Sequence, residues 1–253
     1  MTVQIEHPRG RRMRQAVHVK CRKHRFGVFW GLALVFAGWT AMPLPAYAEL
    51  GVSPAIVDFQ SGHPPRADLE LVNNGSQRLY VVVEPSEIAA PGTDAEQRIQ
   101  DPDPQVLGLL ATPSRLILEP GQRKFVRIAM LKEAGDRDRI YRVTVKPVVG
   151  PVEAPVTGLK ILVGYDVLVI QRPAQPKAVI TGARSGEMLS LRNLGDTNAQ
   201  LFNGKQCDAR KGHCTSLPGS RLYAGATWNV PIRPGLPVEY LVKVGHDVTV
   251  QQF

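Results

Sequence analysis

The stretch ADLELVNNGSQRLYVVVEP, residues 67–85, decides the fold class, because apolar and polar residues alternate in it on both sides of a turn signal. Alternation with a period of two is typical of β-strands that bury one face. Between the two runs lie Asn73, Asn74 and Gly75, which favour a tight turn between antiparallel strands. The stretch therefore predicts a β-hairpin.

Similar short runs recur along the following chain, and no segment of helical length shows an apolar period of 3.6 residues. They are an opening run near 52–59, then SRLILEP (114–120), RKFVRIAML (123–131), IYRVTVKPV (140–148) and GLKILVGYDVLVIQRP (158–173). With the two runs of 67–85, seven candidate strands in about 120 residues predict an immunoglobulin-like β-sandwich.

Prolines at 173 and 176 interrupt this pattern and predict a linker. Five more strand-like runs follow it, namely KAVITGA (177–183), EMLSLRN (187–193), NAQLFNG (198–204), ATWNVPI (226–232) and VEYLVKVG (238–245). We therefore expect an all-β protein with an immunoglobulin-like domain over 49–173 and a smaller β-sandwich domain over 174–253.

The first 48 residues are typical of a secretory signal peptide. A basic segment ends at Arg25, and an uncharged apolar stretch runs from there to Ala46-Tyr47-Ala48, a pattern that signal peptidase accepts. The alternative is a retained membrane anchor, but prolines at 43 and 45 favour cleavage. We expect an exported, periplasmic chain that starts at Glu49, with translation beginning at Met1 or Met13.

The formal charge of +9 would argue for a nucleic-acid partner, but most of the basic excess lies in the first 48 residues. Eight of the 31 Lys and Arg residues, and one of the 22 Asp and Glu residues, fall in residues 1–48, which leaves a net charge of +2 for the rest. We therefore expect no nucleic-acid partner.

Two cysteines remain after the leader, Cys207 and Cys214 in CDARKGHC. An even pair close in sequence in an exported protein predicts a disulfide. Metal binding with His213 is the alternative, but two thiols and one imidazole with no fourth ligand nearby make a poor zinc site. We expect no metal site.

A search for catalytic motifs gives no support for an enzyme. The sequence has no G-x-S-x-G, H-E-x-x-H, phosphate-binding loop or dinucleotide-binding motif. We predict a protein without enzymatic activity and without a cofactor.

The run at 158–171 is the most informative for function, because fourteen residues is long for a strand. One alternating face carries five apolar side chains, namely Leu159, Ile161, Val163, Tyr165 and Val167. Two interpretations stay open at this point. The strand is either a core strand buried on both faces, or an edge strand that offers its backbone and alternate side chains to a partner.

Five segments together resemble the periplasmic chaperones of chaperone–usher pilus assembly. They are VSPAIVDF, VNNGSQRLYVVVEP, TPSRLILEPGQRKFVRI, GDRDRIYRVTVKPV and the long run that ends in Gln171-Arg172-Pro173. They cover essentially all of the first predicted domain, in the order of the family. A divergent member, of the archaic or alternative type, is the best match, because the family's usual basic pair is missing from the first and last strands.

The resemblance implies two immunoglobulin-like domains in a boomerang arrangement, with a disulfide in the second. It also implies that the last strand of the first domain completes a pilin subunit that lacks a strand, the donor-strand form of β-augmentation. The donor side chains would be Leu159, Ile161 and Val163, with Tyr165 and Val167 continuing the row. The implied partners are pilin or fimbrial subunits and an outer-membrane usher, with self-association through the donor edge as a further option.

Two further sites are implied by the resemblance. Arg142 and Lys160 are candidates to hold the C-terminal carboxylate of a subunit, although Arg142 fits a solvated sheet-face arginine equally well. Arg172 and Asp138 are expected to form an ionic contact between the domains. The alternative function is a secreted two-domain β-sandwich adhesin or structural surface protein.

Overall fold

The computed structural model describes residues 49–149, 161–208 and 212–253. The predicted signal peptide, its cleavage site, the alternative membrane anchor, Leu159 and Lys160 lie outside these residues. Within the described ranges, no helix is both long enough and apolar enough to cross a membrane.

Nearly all regular structure in the described chain is β-structure, so the predicted fold class is confirmed. The first ten strands are β1 (Leu50–Ser53), β2 (Ile56–Phe59), β3 (Arg66–Asn73), β4 (Leu79–Ala89), β5 (Gln97–Ile99), β6 (Leu109–Thr112), β7 (Arg115–Leu118), β8 (Arg123–Met130), β9 (Arg139–Val148) and β10 (Tyr165–Gln171). The remaining strands are β11 (Ile180–Ser185), β12 (Met188–Asn193), β13 (Ala199–Cys207), β14 (Cys214–Leu217), β15 (Ser220–Leu222), β16 (Thr227–Pro231), β17 (Val238–Val244) and β18 (Asp247–Gln252).

Strands β1 to β10 form two sheets around one apolar core. One sheet has the order β1-β3-β8-β6, and the other has the order β2-β10-β9-β4-β5, with β7 also pairing with β4. The side chains between the sheets come from alternate positions, as in Leu69 and Leu71 of β3 and Tyr141 and Val143 of β9. This is the period of two that the sequence shows.

The chain between β3 and β4 does not form the predicted hairpin. Strand β3 pairs with β1 and β8, whereas β4 pairs with β5, β7 and β9 in the opposite sheet. The buried Asn73 side chain donates to the carbonyl oxygens of Gln77 (2.7 Å) and Leu118 (3.0 Å). These bonds hold the turn where the chain crosses from one sheet to the other, so the turn prediction is confirmed and the hairpin is wrong.

The opening segment also contributes to both sheets. Strand β1 pairs antiparallel with β3, and β2 pairs parallel with β10. The chain changes sheets at Pro54 and Ala55, between the two strands. The second strand of the opening segment, β2, therefore borders the last strand of the domain, β10.

The segment Asp94–Gly108, which reads as a polar loop in the sequence, contains β5 and a short helix, α1 (Pro104–Leu107). Asp103 caps this helix, since its carboxylate accepts from the backbone N–H of Gln105 at 2.8 Å. The prediction that this segment is a loop is therefore wrong for β5 and α1.

Strands β11 to β18 form two further sheets around a separate core. Their orders are β11-β12-β16 and β14-β13-β17-β18, with β15 also pairing with β13. Tyr240 lies at the centre of this core, edge-on to the rings of Trp228 and Phe253. The two cores agree with the two predicted β-sandwiches. The boundary between the predicted domains, after residue 173, stays a prediction.

The disulfide between Cys207 and Cys214 is confirmed. The two cysteines are direct partners in the pairing of β13 with β14. The bond therefore links the two strands directly at the position where they pair.

Candidate functional site

Strand β10 is paired differently along its length. Leu168 to Gln171 lie between two neighbours, β2 on one edge and β9 on the other. Tyr165 to Val167 pair with β9 alone among the described residues. The regular strand is shorter than predicted, because residues 161–164 precede it without strand structure.

The open edge of β10 exposes backbone hydrogen-bonding groups. The N–H of Leu168 donates to the carbonyl oxygen of Ala55 at 3.1 Å, on the side of β2. Because successive N–H groups of a strand point to opposite sides, the N–H of Asp166 points the same way as that of Leu168. At Asp166 no described strand faces it, so an incoming strand has a place to pair.

The predicted donor row divides at Tyr165. The side chains of Ile161 and Val163 are 76% and 56% exposed. Tyr165 is half-buried at the margin of the first core, and Val167 is only 2% exposed within that core. Val167 is therefore not accessible in the free chain, which leaves Ile161 and Val163 as the exposed members of the row that the structure describes.

The other face of β10 is buried where the strand has two neighbours. Leu168 and Ile170 pack with Ile88 and Ile140 of the same sheet, and Tyr223 covers this cluster. The interpretation of a core strand buried on both faces thus holds for the carboxyl half of β10. It does not hold for residues 161–166.

A cationic cluster lies on this face beside the open edge. An Nη atom of Arg98 lies 2.6 Å from Oδ2 of Asp166, and the Thr144 hydroxyl donates to Oδ1 of Asp166 at 2.9 Å. Arg142 donates to the backbone oxygen of Asp166 at 3.3 Å. We call Arg98, Arg142, Thr144 and Asp166 the arginine cluster.

Arg142 is more constrained than a solvated sheet-face arginine. Its side chain is 31% exposed, and its Nε lies 3.9 Å from the Asp166 carboxylate. It also lies near Tyr223, whose pKa is raised by burial while the positive charge of Arg142 acts in the opposite direction. Arg142 therefore meets the conditions for an anion site, and its role as carboxylate anchor stays a prediction.

A second polar cluster surrounds Arg172, whose side chain is 2% exposed. Its guanidinium contacts both carboxylate oxygens of Asp58, with Nε to Oδ1 at 2.8 Å and Nη2 to Oδ2 at 2.9 Å. It also donates to the Thr197 hydroxyl and to the carbonyl oxygen of Asn198. These bonds connect the end of β10 to β2 and to the chain just before β13.

Asp138 belongs to the same cluster without being the carboxylate that Arg172 contacts. It accepts hydrogen bonds from the Thr197 hydroxyl (2.7 Å) and the backbone N–H of Asn198 (2.6 Å). These donors occupy the short Asp138 side chain, and Arg172 binds Asp58 instead. Burial raises the pKa of Asp138, and the hydrogen bonds and the charge of Arg172 oppose this shift.

Sequence reasoning did not identify Asp58, Arg98 or Thr197. Asp58 is a lone acid in the apolar run IVDF, and that isolation was a signal for a buried partner. Arg98 lies on β5, inside the segment expected to be a loop. Thr197 has no sequence signal, because its role depends on the packing of the second sandwich against Arg172.

Across residues 49–149, 161–208 and 212–253, no three His, Cys, Asp or Glu side chains are grouped closely enough to hold a metal ion.

No protein-family model matches the chain. A curated relative, a fimbrial subunit of the CS1 type from Escherichia coli, is 23% identical, and the alignment covers 77% of this chain and 88% of the relative.

Solved structures match the two-sandwich architecture along most of the chain. The class 5 fimbriae chaperone CfaA has a TM-score of 0.61 at 18% identity, covering 80% of this chain and 98% of its own. The chaperone–tip subunit complex CsuC–CsuE of archaic Csu pili from Acinetobacter baumannii gives a TM-score of 0.58 at 12% identity, covering 81% of this chain and 98% of the matched chain. In the SafA pilin–SafB chaperone complex of Salmonella enterica the TM-score is 0.56 at 15% identity, covering 83% of this chain and 98% of the matched one. The chain therefore has the fold of the fimbrial and pilus chaperones, and the resemblance drawn from the sequence is confirmed at the level of the fold.

Proposed function

We propose that this protein is a periplasmic chaperone that binds pilin or fimbrial subunits by donor-strand complementation and delivers them to an outer-membrane usher. The observation that carries the proposal is the open edge of β10 together with the exposed side chains of Ile161 and Val163. The predicted signal peptide over 1–48 supports the location. The proposal assigns no catalytic activity and no cofactor.

The physical basis is strand addition. A subunit that lacks one strand has unpaired backbone groups beside an apolar groove, and the open edge of β10 supplies partners for those groups. Each branched side chain that enters the groove contributes about 1.5–3 kcal/mol. Ile161 and Val163 together therefore account for a large share of the affinity, and we include Leu159 and Tyr165 at the two ends of the row.

The arginine cluster supports a second contact with the subunit. A C-terminal carboxylate that enters a partly desolvated site needs a cation with free N–H donors. Arg142 supplies one at the site, next to Arg98. Lys160 remains a further candidate from the sequence.

The test is co-purification from periplasmic extracts with the pilin-like subunits encoded beside the gene. Wild type is compared with the Ile161→Asp, Val163→Asp double variant. We expect wild type to form a 1:1 complex and the double variant to bind more than about a hundredfold more weakly, because two apolar contacts are lost. Both proteins should have the same melting temperature, since the two side chains are exposed.

The second sandwich offers a matched control. Val248 and Val250 are also exposed, alternate apolar residues, on the strand β18 that ends its sheet. The Val248→Asp, Val250→Asp variant should bind pilin subunits as wild type does. If the Ile161→Asp, Val163→Asp variant binds pilin subunits as well as this control does, the proposal is contradicted. Self-association of the wild type without capture of a pilin would favour the adhesin.

A further inference from the structure

The arginine cluster has one positive charge more than its negative charge. Arg98 and Arg142 share the single carboxylate of Asp166. Neither Glu84 nor Glu96 forms an ion pair with these arginines: Glu84 pairs with Lys146 at 2.8 Å, and Glu96 accepts from the backbone N–H of Gly92 at 2.6 Å. The cluster therefore favours one additional anion.

The two arginines are unequally engaged. Arg98 makes the short contact, at 2.6 Å to Oδ2 of Asp166, whereas the Nε of Arg142 is 3.9 Å from the same oxygen. A guanidinium has five N–H donors, and the hydrogen bond from Arg142 to the Asp166 backbone oxygen uses only one of them. The carboxylate of Asp166 therefore binds Arg98 closely and Arg142 only weakly.

We propose that Asp166 is a built-in competitor, which occupies the arginine pair in the free chaperone and has to be displaced by the C-terminal carboxylate of an arriving subunit. This inference rests on the proposed function for the identity of the arriving carboxylate. Competition is feasible energetically, because the side chains of Arg98 and Asp166 are each 42% exposed and exposed ion pairs are weak.

The position of Asp166 connects two binding events at one residue. Its backbone N–H faces the open edge of β10, where a strand of the pilin would pair, and its carboxylate holds Arg98. A segment that pairs at the edge without a carboxylate leaves Asp166 on the arginines. A segment that pairs at the edge and also carries a C-terminal carboxylate gains the strand pairing and the guanidinium groups that Asp166 vacates. The chaperone therefore distinguishes a chain terminus from an internal strand.

The test uses N-acetylglycine, which carries the amide and carboxylate of a peptide terminus, and its amide as the uncharged control. Binding is followed through the side-chain N–H signals of Arg98 and Arg142 by NMR. We expect Asp166→Asn to bind N-acetylglycine about two- to fivefold more tightly than wild type, the range expected for removing an exposed ion-pair competitor. Arg98→Gln and Arg142→Gln should weaken it, and the amide should bind to none of them.

Asp68→Asn is the matched control, because Asp68 makes a similar exposed contact with Arg127 (2.9 Å) in the other sheet of the same sandwich. It should leave N-acetylglycine binding unchanged. Asp166→Ser provides a second variant, and an unchanged amide spectrum shows that each is folded.

Equal or weaker binding by both Asp166 variants would overturn the inference, because Asp166 would then only position the arginines. The measurement needs no pilin, so its failure is distinguishable from failure of the proposed function. If the Asp166 variants bind N-acetylglycine more tightly but the protein captures no pilin, the role of Asp166 as a competitor is supported. The assignment of the arriving carboxylate to a pilin terminus is then removed.

Discussion

Strand β10 and the segment 161–164 just before it form one continuous stretch of chain but have opposite environments. Leu168 to Gln171 have a partner strand on each edge and bury side chains on both faces. Tyr165 to Val167 pair with β9 alone among the described residues, and before them Ile161 and Val163 project apolar side chains into solvent. The comparison teaches that similar apolar residues in one run stabilise the protein in one half and remain available for a partner in the other. Four measurements test this division.

The largest expected effect comes from the anchor at the end of the buried half. Arg172→Met removes the partner of Asp58 and leaves a partly buried carboxylate unpaired, and it removes the guanidinium donor to the Thr197 hydroxyl. We expect the free energy of unfolding to fall by about 3–5 kcal/mol, measured by urea denaturation. A loss below about 1 kcal/mol would show that the buried half does not depend on this anchor.

The next effect compares two isoleucines. Ile170 is fully buried and Ile161 is 76% exposed. Ile170→Ala should lower the free energy of unfolding by about 2–4 kcal/mol because it leaves a cavity, while Ile161→Ala should change it by less than about 0.5 kcal/mol. The affinity for a pilin should show the reverse order. Equal stability losses would contradict the division of the strand.

Amide hydrogen exchange tests the two edges directly. The N–H of Leu168 is bonded to Ala55, whereas that of Asp166 faces the open edge. Adding a pilin should slow exchange at Asp166 by more than about tenfold and leave Leu168 protected as before. Exchange at Asp166 that is already slow in the free protein would show that its edge is closed.

The smallest expected effect is a pH dependence at the anchor. Burial raises the pKa of Asp138 above its ordinary value of 3.8, so the folded state binds a proton more readily than the unfolded state. Wild type should therefore gain stability relative to Asp138→Asn as the pH falls through the raised pKa toward 3.8. Urea unfolding of both proteins across this range measures the difference and its sign. A difference that widens in the other direction would contradict the sign of the shift.

The sequence predicted most strands because their alternation reflects burial on one face, as in 67–73 and 79–85. It did not predict that these two strands lie in opposite sheets, since a turn signal describes local conformation and carries no information on which sheet follows. The exposed pair Ile161 and Val163 was predicted from the period and the family resemblance. Val167 has the same period, yet its side chain lies in the core between the two sheets, which only the assembled sandwich shows.

The site was less predictable than the fold. Arg142 was identified because it stands on a clear strand, whereas Arg98 lies on the three-residue strand β5, too short for a periodic signal. The partner of Arg172 was assigned to Asp138 by resemblance, but Asp58, 114 residues away, makes the contact. Pairings over such distances depend on the assembled sheets.

The parallel pairing of β2 with β10 has a consequence for the order of folding. A contact that closes a loop of this length forms late, because its entropic cost precedes its gain. As the chain is delivered from its amino end, Ile56–Phe59 has to wait unpaired until Gln171 arrives. Strand β2 is therefore made early but completed late, and it is the early segment that stays exposed longest to unwanted partners.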